Sequence, residues 1–402
     1  MIRGISLGVA LLGALGITSF ALGPTALSTP TVSYSHEIAS STVEALPPPV
    51  EHRETPHAVK AIYMSQCAAS SESFRASIIG LADTTEINAV IVDIKDYTGT
   101  TSFPSKVALS GGKGCTVPDF REVVKRMHEH DIYVIGRLTV FQDPLYTSVY
   151  PDRAVKKATD GTTWRDNKGL AFVDVGAAPF WEYIEAIARE AHGLGVDEIN
   201  FDYIRYPSDG PMDNINFTHT KGSHADNLER FFSHLNAAMK IEVDGHRPII
   251  SADLFGMTTT NTDDLNIGQV LERTMPYFDY IAPMVYPSHY PRKFNGWDNP
   301  NQHVYGVIEH SMRRAVERAE ATTTPVAGFK TERIGTTTPA VYAKKPYSRY
   351  IMRPWLQDFD YGGNYGPKEV RDQIQATYDI GLTSWMLWDP SNRYTKDALL
   401  PE

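Results

Sequence analysis

Apolar runs and amphipathic stretches alternate along this chain from about residue 58 onward. Runs rich in strand formers fall at Lys60–Met64, Ile87–Ile94, Ile132–Phe141, Val196–Tyr203, Pro248–Phe255, Tyr280–Tyr286, Tyr350–Gln357 and Leu382–Trp388. The segment INAVIVDI at 87–94 is nearly continuous, as in strands buried on both faces. Between the runs, apolar residues recur at helical spacing. Phe120, Val123, Val124 and Met127 share a face of a helix opened by Pro118. Phe180, Ile184, Ile187 and Ala191 share a face of another, stopped by Gly193 and Gly195. Leu228, Phe231, Phe232, Leu235 and Met239 mark a third. Eight strand–helix units within residues 58–402 predict an α/β fold, a TIM (β/α)8 barrel with long βα loops. The competing α/β architecture is an open doubly wound sheet, but no Gly-rich fingerprint follows the first strand. Gly111-Gly112-Lys113-Gly114 lacks the spacing of a phosphate loop and reads as a plain loop.

The start of the chain is different in kind. Arg3 precedes an uncharged apolar stretch, Gly4 to Gly23, which reads as a signal peptide or membrane anchor over residues 1–23. Residues 24–57 are rich in Pro, Ser and Thr, and Pro47-Pro48-Pro49 favours a stiff extended linker. The expected location is therefore outside the cytoplasm, secreted or anchored through the N-terminal segment. In an oxidising compartment Cys67 and Cys115 could be bridged; otherwise they are two thiols. Two cysteines alone cannot build a four-ligand zinc site or an iron–sulfur cluster. A formal net charge of −10 leaves no basic surface for a phosphate backbone, so nucleic acid is not an expected partner.

In a TIM barrel the chemistry gathers at the C-terminal strand ends. Period-two alternation turns Glu198, Asn200 and Asp202 inward on the fourth strand, with Asp202 at the mouth. It does the same for Ser251 and Asp253 on the fifth, and for Asp93 and Lys95 on the second. Arg137 falls near the mouth of the third, and Met284 and Tyr286, followed by His289, on the sixth. Arg353, Trp355 and Gln357 share a face of the seventh; Ser384, Met386 and Trp388 share one of the eighth. Each has a structural alternative. Asp93 can pair with Lys95 or Arg137, Arg205 can hold a carboxylate, Glu198 suits a buried partner, and the aromatics can simply fill the barrel.

Two carboxylates on adjacent strands, with aromatic platforms and polar donors around them, suit glycoside hydrolysis. Asp202 is the expected nucleophile or base and Asp253 the expected acid. Asp93, Arg137, Arg205, Tyr286, His289, Trp355, Gln357 and Trp388 are expected to bind a poly- or oligosaccharide. No cofactor is called for and no metal ligands are assigned. His219, His224 and Asp226 lie close together, but in an expected loop and without HExxH spacing. No GxSxG elbow is present. The alternatives are a non-catalytic carbohydrate-binding protein of the cell envelope and a metal-dependent polysaccharide deacetylase.

The block Asp197-Glu198-Ile199-Asn200-Phe201-Asp202-Tyr203-Ile204-Arg205-Tyr206-Pro207 resembles a family of exported bacterial proteins described as a putative glycosyl hydrolase domain. Further blocks match in order: Val92–Asp96, Ser251–Gly256, Pro283–Tyr290, Arg353–Phe359 and Trp385–Trp388. The resemblance covers roughly residues 58–395 and implies a TIM barrel distantly similar to the α-amylase-like glycosidases. It implies glycosidase-like chemistry on a polysaccharide without naming the glycan. In amylase-like enzymes the nucleophile ends the fourth strand, where Asp202 stands here. The acid is a Glu ending the fifth; this chain has Asp253. The Arg commonly two residues before the nucleophile is Asn200 here.

Overall fold

The computed structural model describes residues 51–241 and 247–401. The expected signal segment, and the linker as far as residue 50, lie outside the described residues. Eight parallel strands close into one barrel. They are β1 (Lys60–Met64), β2 (Ala89–Lys95), β3 (Tyr133–Thr139), β4 (Glu198–Asp202), β5 (Ile249–Phe255), β6 (Tyr280–Met284), β7 (Trp355–Gln357) and β8 (Trp385–Trp388). Each pairs with the next, and β8 closes on β1 through Lys60 opposite Trp385. The TIM barrel expected from the sequence is thus the observed architecture.

Alternation sorts the apolar residues of the strands into two layers. Ala61, Ala89, Ile91, Ile135 and Met386 fill the barrel interior with Tyr63, Tyr133, Tyr286 and Trp355. Ile62, Val90, Val92, Val134, Ile199 and Leu254 point outward and pack beneath the helices. The helix Phe120–His128 buries the predicted Phe120, Val123, Val124 and Met127 there. Pro118 stands before it rather than inside it, because Asp119 is the N-cap and accepts from the Glu122 amide. The helix Ala178–Gly193 ends as expected, with Gly195 in the left-handed region. Gly136 sits where outer neighbours crowd the sheet. A Cβ there would meet Val196 at 2.8 Å and Ile94 at 2.9 Å, so the glycine lets β3 lie flush.

The seventh strand is shorter than its apolar run. Arg349–Ile351 forms a 3-10 turn, Met352 makes an isolated bridge to Ile281, and the continuous strand begins only at Trp355, after Pro354, which has no amide hydrogen to give the ladder. A small antiparallel sheet of Thr323–Thr324, Glu332–Ile334 and Val341–Ala343 precedes it. Its strands are two or three residues long, and all their residues but Thr324 are exposed or half-buried, so they carry no apolar alternation to read.

At the barrel floor Glu198 accepts from Arg353 at 2.7 Å and from Tyr133 at 3.2 Å, a buried structural pair as one reading of the sequence had it. Residues 51–57, read from sequence as the end of the linker, are engaged here. The Arg53 amide donates to Asp197 at 2.7 Å, and Thr55 meets the Tyr133 hydroxyl at 3.0 Å.

Cys67 and Cys115 are joined in a disulfide with Cα atoms 4.9 Å apart. The bridge ties the short helix Gln66–Ser70 after β1 to the long loop after β2 across a sequence separation of 48. Loop-closure entropy for that span is worth about 4 kcal/mol. The Cys67→Ser, Cys115→Ser double variant is accordingly expected to unfold at a temperature several degrees lower, read by differential scanning calorimetry. An unchanged midpoint would mean that the bridge adds nothing to stability.

Candidate active site

Register brings the polar inward residues to one end of the barrel. Asp93 on β2 lies opposite Arg137 on β3, Arg137 opposite Asn200 on β4, and Asn200 opposite Ser251 on β5. Asp202 and Asp253 follow two residues further along their strands, at the mouth. Arg137 is the centre of this layer and is almost fully buried. It donates from Nη1 to Asp93 Oδ1 at 2.6 Å and from Nε to Asp202 Oδ2 at 3.1 Å, and Nη2 donates to the same Asp202 oxygen. Asp253 Oδ2 lies 3.8 Å from the same Nε. One guanidinium therefore faces three buried carboxylates, each of which would be costly to hold ionised without it.

The two mouth carboxylates sit in unlike surroundings. Asp202 is doubly held by the Arg137 fork and also accepts from the Tyr203 amide at 2.5 Å. Tyr203 adopts a φ of 52°, the left-handed region that a bulky side chain rarely enters, and this turns the backbone sharply after Asp202. Asp253 is 1% exposed and meets neutral donors at one oxygen: Asn200 Nδ2 at 2.9 Å and Trp355 Nε1 at 2.8 Å. Burial, and then the charge of Asp202, hold its carboxyl well above the usual range, against the smaller pull of Arg137. The cation beside Asp202 is Arg137 and not Arg205, the cation that sequence proximity suggests. Arg205 donates to Ser208 at 2.6 Å and lies over the Tyr203 ring.

A cleft of about 230 Å³ opens above this pair. Of the residues read from sequence, it is lined by Arg137, Asp202, Arg205, Asp253, Tyr286, His289, Trp355 and Trp388. Tyr203, Phe255 and Met284 complete the wall. Burial, and then the charges of Asp253 and Asp202, hold the Tyr286 pKa well above its usual range, and burial lowers the His289 pKa so that the imidazole is neutral near pH 7. Asp93 and Gln357 stand behind the wall. Asp93 is held between Arg137 and the Tyr63 hydroxyl, 2.5 Å away. Gln357 accepts from Ser288 at 2.8 Å and donates to the carbonyls of Phe359 and Tyr361. Tyr63 escapes the sequence reading. Its ring stacks on Trp388 at 3.9 Å, so it braces both the cleft wall and Asp93. The only signal is its alternation with Ala61 in β1.

His219, His224 and Asp226 do not converge. His219 bonds the Asp152 carbonyl, His224 stacks on Tyr206, and Asp226 pairs with Arg273. The last two lie in the first turn of the helix His224–Met239, capped by Ser223, rather than in a loop. Among the described residues no cluster of three or more His, Cys, Asp or Glu side chains is placed to hold a metal ion.

Residues 61–394 match the family described as "putative glycosyl hydrolase domain". The chain belongs to this family. The match includes both mouth carboxylates and every barrel strand, apart from the first residue of β1. Among solved structures, the glycoside hydrolase domain of PgaB (BpsB) from Bordetella bronchiseptica is 12% identical, with a TM-score of 0.58, over 85% of this chain and 99% of that one. At that identity the likeness is one of fold. A hypothetical protein from Ruminiclostridium thermocellum is 30% identical over 51% of this chain and 98% of its own, with a TM-score of 0.42. An α-galactosidase from Thermus thermophilus, solved in complex with stachyose, is 13% identical over 87% of this chain and 64% of its own, with a TM-score of 0.47. No curated protein matches.

Proposed function

We propose that this protein is an exported glycosidase that cleaves a poly- or oligosaccharide with Asp202 and Asp253 and no metal. The observation that carries the reading is the unequal pair at the barrel mouth. Asp202 is charge-paired with a forked guanidinium, while Asp253 is buried among neutral donors with a raised pKa. A glycosidase needs that division: one carboxyl that keeps its proton near neutral pH and one that stays ionised. Asp253 protonates the leaving oxygen. Asp202 attacks the anomeric carbon, Arg137 having fixed its orientation, and a glycosyl–enzyme ester forms. Asp253, now ionised, then takes a proton from the water that hydrolyses the ester.

The retaining course is favoured by proximity. Oxygens of both carboxylates lie within reach of Arg137 Nε, at 3.1 and 3.8 Å. Oxygens that share one nitrogen at these distances cannot lie at the wide end of the ~6.5–9.5 Å range that leaves room for water in an inverting site, and a close pair suits direct attack. The aromatic wall supplies the apolar platform that a pyranose face needs. The N-terminal apolar stretch supports export, and the barrel supplies the cleft.

The test is a glycan panel offered to the full chain, with released reducing ends and product anomers followed by NMR. Cleavage with retention supports the proposal. Binding without cleavage would replace it by the non-catalytic carbohydrate-binding reading, and activity lost to a chelator and restored by zinc by the deacetylase reading. Trp388 is half-buried at the rim, so Trp388→Ala is expected to fold and to weaken glycan binding on the order of tenfold, about 1.4 kcal/mol. Isothermal titration calorimetry checks this, and unaltered affinity would remove Trp388 from the platform.

A further inference from the structure

We propose that the loops after β3 and β4 form a second sugar-binding subsite, so that the substrate is a chain occupying at least two ring positions. The proposal rests on the glycosidase reading and extends it. A second cavity, about 80 Å³, adjoins the cleft and shares two of its wall residues, Tyr203 and Arg205. Gln142, Asp166, Lys168, Phe172, Ser208 and Asp209 complete its lining.

The cavity is built into the fold. Beyond β3 the chain stays paired with β4, the amides of Val140 and Phe141 donating to the carbonyls of Asp202 and Tyr203 at 2.9 and 3.2 Å. That pairing carries Gln142 alongside Tyr203, and a bridge between Gln142 and Phe172 fixes its backbone. The two loops are locked together by the pairing of Lys156 with Asn216 and by Trp164. The Trp164 indole donates to the Pro211 carbonyl at 3.2 Å, and Gly210 leaves room for its ring.

Gln142 is 4% exposed, and its buried Oε1 has no hydrogen-bond partner. A buried acceptor left so is costly, and a ligand hydroxyl would satisfy it. Asp166 and Asp209 each engage the loop through Oδ1. Asp166 accepts from the Lys168 and Leu170 amides, and Asp209 from the Asn167 side chain. Lys168 and Arg205 balance the two carboxylates, so the lining favours a neutral ligand with many hydroxyls over a net charge. The space corresponds to about two or three water volumes. It suits the hydroxyl-bearing edge of a ring whose body rests on Tyr203 and Arg205.

The experiment measures binding of gluco-, galacto- and N-acetylglucosamine oligosaccharides, one to six units long, by NMR titration. It uses full chains carrying Asp253→Asn to prevent turnover, with and without Gln142→Leu or Asp209→Asn. The second sugar unit is expected to tighten binding tenfold or more. Each added substitution should remove most of that gain and leave monosaccharide affinity unchanged. Asp209 is exposed, so its variant keeps the test valid should Gln142→Leu fail to fold. If the gain persists in Asp209→Asn, or no gain exists while monosaccharides still bind in the cleft, the subsite is refuted and the glycosidase reading stands. If no series binds at all, both fall.

Discussion

Asp253→Asn is expected to lower turnover by about 10²–10⁴-fold, the usual contribution of a positioned proton donor. The substitution keeps the acceptor oxygen that meets Asn200 and Trp355, so the fold and glycan affinity should persist. The pH profile gives the sharper readout. Burial and the neighbouring Asp202 raise the pKa of Asp253, so the protonated, active form survives to higher pH than for an ordinary aspartate. Turnover should fall as pH rises through that raised value, and Asp253→Asn should abolish this alkaline limb along with the rate. For stability the sign is the same. The folded chain binds this proton more tightly than the unfolded chain, so Asp253 favours folding below the unfolded aspartate pKa near ~3.9, and that contribution is lost as pH rises through the folded value. An alkaline limb that survives in Asp253→Asn would assign the acid to another group.

Arg137→Ala is expected to destabilise the chain by about 3–5 kcal/mol, because it strands buried carboxylates without their cation. Asp93 would keep only Tyr63, and Asp202 only the Tyr203 amide, of the hydrogen bonds now at their carboxylates. Arg137→Lys retains the charge but not the planar fork, so it should fold more stably than Arg137→Ala. Its turnover should nevertheless fall. A lysine ammonium cannot hold Asp202 through two bonds as Nε and Nη2 of the fork do, so the nucleophile loses its fixed orientation. Urea unfolding and turnover measurements on the two variants check both parts. An Arg137→Ala chain as stable as the parent would show that the carboxylates relax or take up protons without cost.

The barrel was legible because its strands are buried on both faces and read as apolar runs, and alternation along β4 and β5 placed Asp202 and Asp253 at the mouth. Partners across strands were not legible, since they depend on register, which no local pattern encodes. The guanidinium beside Asp202 comes from β3, through the Arg137–Asn200 register, and not from the residue two before it or the Arg three after it. Tyr63 was hidden for the same reason: within Lys60–Met64 it looks like core, and only closure of β1 against β2 and β8 brings it to Asp93 and Trp388. Gln357 shares its strand face with Trp355, yet the turn at Ser288 and the loop at Phe359–Tyr361 engage its amide. The loops after β3 and β4 owe their shape to long-range bridges such as Lys156 to Asn216, which sequence periodicity does not report.

The covalent step is the most direct point of test. The full chain and its Asp253→Asn variant are mixed with a dinitrophenyl glycoside of the sugar cleaved in the panel, whose leaving group departs without protonation, then quenched in acid and digested for mass spectrometry. The expected result is a peptide containing Asp202 heavier by the transferred glycosyl unit, accumulating in Asp253→Asn and absent from Asp202→Asn, which should not turn over. Cleavage that continues in Asp202→Asn, or proceeds with anomeric inversion while Asp202 stays unmodified, would contradict it.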